Sequence, residues 1–284
     1  MDVVRDRLLS EVLPEAGTSV EGPVLEVKDI HLSFAGVKAI DGVSFQVSNH
    51  ELFAIIGPNG AGKTSIFNSI SGVYEPQEGS IRFMGKDILG GKPDHIARMG
   101  MARTFQNIEL FANLTVLDNI MLGRHLRMNH GVLSSMVWLG KARKAEMHAR
   151  EVAEGIIQFL ELEPFRKSYV AMLPYGVQKR VELGRALAMS PSLLLLDEPA
   201  AGMNTEETED MARFIMDIKR ELGIGMILVE HDMRVVMDLA DTVLAIDFGK
   251  PIALGTPDVI QRNPDVIRAY LGQDHAVVET GGTE

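Results

Sequence analysis

Residues 51 to 65, Glu-Leu-Phe-Ala-Ile-Ile-Gly-Pro-Asn-Gly-Ala-Gly-Lys-Thr-Ser, constrain this chain more than any other stretch. The apolar run Leu52 to Ile56 reads as a buried strand. It breaks into a glycine-rich turn and then into a helix beginning near Gly62. Gly57, Gly62, Lys63 and Thr64 fit the spacing G-x-x-x-x-G-K-[ST], in the strand–loop–helix setting that a phosphate-binding loop requires. Glycines at 57, 60 and 62 open backbone conformations closed to other residues, so N–H groups of the turn can point inward at phosphate oxygens. The helix N-terminus behind them adds its dipole and unpaired donors. Lys63 supplies a point charge for the β- and γ-phosphates, and the Thr64 hydroxyl can ligate Mg²⁺. The candidate contacts therefore run from Gly57 through Pro58, Asn59, Gly60, Ala61, Gly62, Lys63 and Thr64 to Ser65. The competing reading, a glycine turn matching by chance, is weakened by the flanking strand and helix.

A second pillar is Pro191-Ser192-Leu193-Leu194-Leu195-Leu196-Asp197-Glu198-Pro199. Four consecutive leucines predict a strand buried on both faces, as in a parallel sheet. Two carboxylates at its carboxyl end sit where open α/β sheets bind ligands. Asp197 suits the outer shell of Mg²⁺, which keeps several waters, and Glu198 could orient or deprotonate an attacking water. The next strand, Met226 to Val229, ends in Glu230-His231-Asp232. His231 could contact a γ-phosphate and that water, although a histidine at a strand end is more often structural; its position carries the reading.

Around these pillars the pattern is α/β. Strands are expected at Val24 to Val27, Val43 to Val47 and Ser80 to Met84, making a β-rich lobe. Phe34 falls in an expected turn between strands, where a π-face could stack on adenine; residue type alone favours a core phenylalanine. Residues 86 to 190 read as mainly helical, with a helix over Thr115 to Leu122 capped at Asn113 or Thr115 and a long polar helix over 141 to 162. The stretch from Gly123 to Gly140, with Met128, Val132, Leu133, Met136, Val137 and Trp138, reads as an insertion, either a contact region or a satellite apolar cluster. Thr242 to Ile246 and Pro251 to Leu254 read as a hairpin, followed by a helix from Pro257 and a last one over Pro264 to Leu271.

Composition sets limits. With 46% hydrophobic and 24% charged residues the chain is ordinary for a soluble globular protein. No apolar run approaches the about 18 residues of a membrane helix, and the N-terminus lacks the apolar region of a signal peptide, which argues against export. Zero cysteines exclude disulfides and thiolate chemistry and fit a reducing cytoplasm. A net charge of −11 leans against a nucleic-acid-wrapping surface. Residues 1–23 are expected to form a flexible extension, with a short helix over Val3 to Val12, and 273–284 a disordered tail.

These pieces in this order resemble the ATP-binding subunit of ABC transporters, over about residues 24–272. Leu173-Pro174-Tyr175-Gly176-Val177-Gln178-Lys179-Arg180 resembles the family signature Leu-Ser-Gly-Gly-Gln but departs from it. Pro174 replaces the serine, Tyr175 a glycine and Val177 the glutamine, so the serine hydroxyl is lost, while proline is tolerated where a helix begins. Asn204, in Ala200-Ala201-Gly202-Met203-Asn204, stands where the family usually has aspartate. The resemblance implies that Gln106 senses Mg²⁺ and couples to the membrane partner, and that Phe34 stacks on adenine. It likewise implies that Asp197, Glu198 and His231 are the magnesium aspartate, catalytic glutamate and switch histidine, and that Tyr175, Gly176 and Val177 cap ATP in a partner subunit.

The fold implied is that of P-loop NTPases: a RecA-like mixed core, an antiparallel β lobe and a helical signature subdomain over about 105–185, carrying the 123–140 insertion. The Leu-Pro-Tyr-Gly variant, the insertion after Gly123-Arg124-His125, the Ala-Ala-Gly-Met-Asn segment, and the ending Asn263-Pro264-Asp265-Val266-Ile267-Arg268-Ala269-Tyr270-Leu271-Gly272 look most like ATPase subunits of branched-chain amino-acid importers. Urea and amide importers and lipopolysaccharide or lipid exporters lie close by. Soluble ABC proteins acting on nucleic acid or ribosomes form the remaining alternative, but this chain shows neither a repeated cassette nor heptads. The resemblance implies an ATPase using ATP and Mg²⁺ at the cytoplasmic face of the inner membrane. Its implied partners are permease subunits, a second identical or paralogous ATPase placed head to tail, and indirectly a solute-binding protein.

Overall fold

The computed structural model describes Leu13, residues 15–125 and residues 141–270. The helix expected over Val3 to Val12, the insertion beyond residue 125 and the 273–284 tail lie outside these residues. In chain order the elements are β1 (Leu25–Phe34), β2 (Val37–Val47), β3 (Leu52–Ile56), α1 (Lys63–Ile70), β4 (Glu78–Phe83), β5 (Lys86–Asp87), α2 (Pro93–Arg98), β6 (Met101–Arg103) and α3 (Val116–His125). There follow α4 (Lys141–Phe159), α5 (Tyr175–Leu187), β7 (Leu193–Asp197), α6 (Thr205–Leu222), β8 (Gly225–Val229), α7 (Met233–Leu239), β9 (Thr242–Asp247), β10 (Lys250–Gly255), α8 (Pro257–Gln261) and a last helix over 264–270. They divide into two compact units. The first draws on Met1–Thr18, Ala97–Leu194 and Pro199–Ile224, the second on Ser19–Ile96, Leu195–Glu198 and Gly225–Glu284.

In the second unit, an antiparallel sheet runs β2-β1-β4-β5. Leu25 and Val27 of β1, and again Ile30 and Leu32, are buried at the period of 2 expected of a sheet covered on one side, with the phase reset by a register shift between Val27 and Ile30. The turn between β1 and β2 is only Ala35-Gly36, both at positive φ (47° and 87°), the tight turn that matches strand twist. Phe34, expected within that turn, is instead the last residue of β1, opposite Val37. The other sheet of this unit has the order β10-β9-β3-β8-β7, with β7 entering it at Leu195. β3 is parallel to β8 and β9, and the expected hairpin closes it, β10 being antiparallel to β9. Every residue of β3 and β8 is buried, as continuous apolar runs require in a sheet covered on both faces.

In the first unit, α4 presents Val152, Ala153, Ile156 and Ile157 to the interior. It ends at Phe159, short of the expected residue 162, and Glu161 takes a left-handed φ of 54°. Thr115 caps α3 as expected, its hydroxyl oxygen accepting the Asp118 N–H at 3.2 Å. α3 and α5 approach so closely at Gly123 that a Cβ there would lie 2.2 Å from the Arg185 carbonyl oxygen. The stretch 86–190, expected to be mainly helical, also holds β5 and β6 and has neither helix nor strand over 104–114.

The described residues of 1–23 are exposed or half-buried apart from Leu13, and some of them are tied to the rest of their unit. Leu13 is buried, the Gly17 N–H donates to the Pro191 carbonyl at 3.0 Å, and a Cβ on Gly17 would meet the Leu222 carbonyl oxygen at 1.8 Å. Further along, Asn49 donates to the Val20 carbonyl at 2.9 Å. Among the described residues no helix is long and apolar enough to cross a membrane.

Candidate functional site

β3 delivers the chain into the loop at Gly57. Gly62 has φ 106°, and a Cβ on it would lie 2.5 Å from the Ala39 carbonyl oxygen; at Gly57 a Cβ would lie 2.3 Å from that of Ile246. Both positions therefore need glycine on steric grounds, in addition to the backbone freedom read from the sequence. Gly62 is also the N-cap of α1 and offers no side-chain acceptor, leaving the first-turn N–H groups available to an anion.

Lys63 is the first residue of that helix and is nearly buried. Its ammonium donates to the carbonyls of Gly57 at 2.6 Å and Pro58 at 2.9 Å, so the charge is held over the loop. Burial pulls its pKa down, opposed by the Glu198 and Asp197 carboxylates, which favour the ammonium. Thr64, one residue on, is exposed.

The carboxyl ends of β7 and β8 carry the other groups of this unit. Asp197 closes β7 and is buried. Glu198 follows with φ 47°, a region costly to a non-glycine residue, and its N–H donates to the Val229 carbonyl at 2.9 Å. Its Oε2 lies 3.7 Å from Nδ1 of His231. A carboxylate and an imidazole at that separation can jointly orient one water. Behind the histidine stands Glu230, fully buried, which accepts the His231 backbone N–H at 3.2 Å and has Oε2 3.9 Å from the ring. Glu230 was not singled out from sequence, although its place next to His231 at a strand end was visible. Phe34 is 45% exposed, so the core alternative does not hold; its ring meets Tyr74 edge-on with centroids 5.0 Å apart. Nothing in the sequence linked those two rings.

The remaining candidates lie in the first unit. Gln106 is exposed within the irregular stretch. Tyr175, Gly176 and Val177 form the first turn of α5, whose N-cap, Pro174 (φ −54°), provides no side-chain cap. Tyr175 is exposed, and its phenol pKa is raised by partial burial and then by the Glu182 charge. Asn204, the other departure, is the N-cap of α6 in a complete capping box. Its Oδ1 accepts the Glu207 N–H at 3.0 Å and its own N–H donates to Glu207 Oε2 at 3.1 Å. Asparagine and aspartate cap equally well, so this exchange keeps the helix start.

Among the described residues no group of three or more histidines and carboxylates could hold a metal ion by itself. Thr64 and Asp197 each offer an oxygen of the kind Mg²⁺ takes, and Mg²⁺ needs only one or two protein oxygens, filling its octahedron with phosphate oxygens and water.

Phosphate loop, paired strand-end acids and a following histidine define the class. Residues 40–201 match the ABC transporter family, and the chain belongs to that family of transport ATPases. Its subfamily is set by residues 250–276, which match the branched-chain amino acid ATP-binding cassette transporters. The chain is 40% identical over 251 residues to the high-affinity branched-chain amino acid transport ATP-binding protein BraF of Pseudomonas aeruginosa, covering 88% of this chain and 98% of that one. It is 37% identical, with the same coverage, to the corresponding protein LivG of Escherichia coli. A crystal structure of a nucleotide-free ATP-binding cassette from an ABC transporter superposes with a TM-score of 0.76 at 30% identity, covering 88% of this chain and 99% of that one.

Proposed function

We propose that this chain is the ATP-hydrolysing subunit of an importer for branched-chain or related amino acids, bound at the cytoplasmic face of the membrane to permease subunits. It works there as a head-to-tail pair with a second copy or a paralogue. The observation that carries the ATPase half is the site itself. Lys63 is held over the loop by two carbonyls, while Glu198 and His231 stand 3.7 Å apart at neighbouring strand ends. The importer half rests on the relatives, which share nearly their whole length with this chain and whose names specify branched-chain amino acid transport.

In this reading the loop N–H groups and Lys63 bind the β- and γ-phosphates, and the Phe34 ring receives adenine. Bound with the nucleotide, Mg²⁺ would neutralise phosphate charge, with Thr64, Asp197 and Gln106 as the residues to hold it. Tyr175, Gly176 and Val177 of the second subunit cap the same nucleotide. Glu198 and His231 orient the water, and Glu198 takes its proton as the water oxygen bonds to the γ-phosphorus and the bond from that phosphorus to the β–γ bridging oxygen breaks, leaving ADP and phosphate. Positioning and charge account for most of the rate in such reactions.

Glu198→Gln keeps the shape and removes the base. It is expected to bind ATP as the wild type does and to lower turnover by at least about 100-fold. Wild-type turnover in that variant would remove Glu198 from the role. For the importer half, the tagged protein is purified from gently solubilised membranes. Recovery of two polytopic permeases and a shorter ATPase supports the reading, whereas lipopolysaccharide-export components or ribosomes would overturn it.

A further inference from the structure

Helix α5 starts at the signature segment, and three of its charged residues point away from that start, toward a different segment. Lys179 and Glu182 lie at i and i+3 and are 3% and 1% exposed, a burial that ionic side chains rarely reach without specific partners. Their partners are backbone. Lys179 Nζ donates to the carbonyls of Phe105 at 2.9 Å and Gln106 at 2.8 Å. Glu182 Oε1 accepts the Phe105 N–H at 3.3 Å, and Glu182 Oε2 lies 3.6 Å from Lys179 Nζ. Both polar ends of Phe105 are thus held by the pair, its N–H by the carboxylate and its C=O by the ammonium. One turn further, the Arg185 guanidinium donates to the Glu109 carbonyl.

Farther along the segment, Asn119 holds the backbone of Phe111 and the Ala171 and Val170 N–H groups hold the carbonyls of Ala112 and Leu114, whereas the backbone of Phe105 is held from α5. Residues 104–114 form no helix or strand, and the Phe105 ring is 40% exposed, so it does not anchor the loop by burial. A buried ion pair is also a poor device for stability alone, because desolvation consumes most of the Coulombic gain and an apolar pair of similar volume does as well or better. Burial does raise the Glu182 pKa, against the pull of Lys179 and the amides of Phe105 and Glu109. The pair therefore carries a desolvation cost and fixes both backbone polar groups of Phe105, whose ring is too exposed to do so by burial.

We propose that Lys179 and Glu182 are positioning residues that set the Gln106 loop through its backbone and so couple it mechanically to the first turn of α5. In the proposed function that turn meets the partner subunit's nucleotide while Gln106 serves the subunit's own, so the clamp ties the two readouts within one chain. This rests on the site role given to Gln106.

The test compares the full-length wild type with Lys179→Met, Lys179→Arg and the double variant Lys179→Met/Glu182→Leu. Unfolding midpoint, amide hydrogen exchange at Phe105, and KM and kcat for ATP are measured. Losing two charge-assisted bonds to the loop should speed exchange at Phe105 by about tenfold or more in Lys179→Met. It should also lower kcat with little change in KM, and Lys179→Arg should recover part of both. The double variant, with an apolar pair in place of the ionic one, should regain the unfolding midpoint but neither the exchange protection nor kcat. Wild-type exchange at Phe105 in Lys179→Met, or recovery of kcat together with stability in the double variant, would overturn the proposal. Gln106→Ala separates the two claims: wild-type kcat there removes the site role of Gln106, while exchange at Phe105 still judges the clamp.

Discussion

Gly176, in the signature segment, makes the most specific prediction because its neighbour is itself engaged. A Cβ built on it would lie 2.5 Å from Oε1 and 2.7 Å from Cδ of Glu207. That carboxylate is the returning arm of the capping box, accepting the Asn204 N–H at 3.1 Å. Gly176→Ala must therefore push Glu207 aside and break the back-bond at the start of α6, at a cost of about 1 kcal/mol for an impaired cap. Against this, alanine is the better helix former by up to about 1 kcal/mol, less in a first turn. The single variant should therefore be neutral to about 1 kcal/mol destabilised. Once Glu207→Ala has already removed the obstructing carboxylate, the same Gly176→Ala change should stabilise by about 0.5 kcal/mol. The double-mutant cycle then has a coupling energy near 1 kcal/mol, measurable from urea unfolding of the four proteins if their m-values agree. Additivity within about 0.3 kcal/mol would show that the carboxylate swings away freely and that no cap joins the signature turn to α6.

Three further outcomes follow from the second unit. Gly62→Ala places a methyl 2.5 Å from the Ala39 carbonyl oxygen at φ 106°, so nucleotide affinity, read by titration with a fluorescent ATP analogue, should fall more than tenfold; unchanged affinity would refute the steric argument. Leu195→Ala, in the fully buried β7, should cost about 2–5 kcal/mol in equilibrium unfolding, and a loss below about 1 kcal/mol would mean that the strand ends collapse around the gap. Burial pushes the Tyr270 phenol up to about 12. The unfolded phenol ionises near pH 10, so this group stabilises the fold fully below about pH 10 and that stability is lost as pH rises toward about 12. In a tyrosinate absorbance titration of the four tyrosines, the last phase should appear near the upper end of that window and vanish in Tyr270→Phe; completion by about pH 10.5 with native circular dichroism would count against it.

Several parts of this protein were settled by sequence alone, because they obey local rules. Leu52 to Ile56 and the four leucines before Asp197 could only be buried strands: continuous apolar runs of that length have no solvent face to offer. The spacing of Gly57, Gly62, Lys63 and Thr64 stated a backbone path and a charge before any fold was known, and the order of motifs along the chain then specified the family. Other features depended on partners far away in the chain. The exposed edge-on pairing of Phe34 with Tyr74 and the buried Glu230 behind His231 follow from strand placement. So does the left-handed Glu198, a conformation no residue-type preference would assign to glutamate. Nothing local marks Lys179 and Glu182 as buried; their partners are the backbone of residues 105–106, more than 70 positions away. Periodicity and turn chemistry report what a residue does to its own few neighbours. Which polar atom meets which across the fold is decided only when the elements pack, since desolvation penalises every alternative in which a buried donor or acceptor is left unpaired.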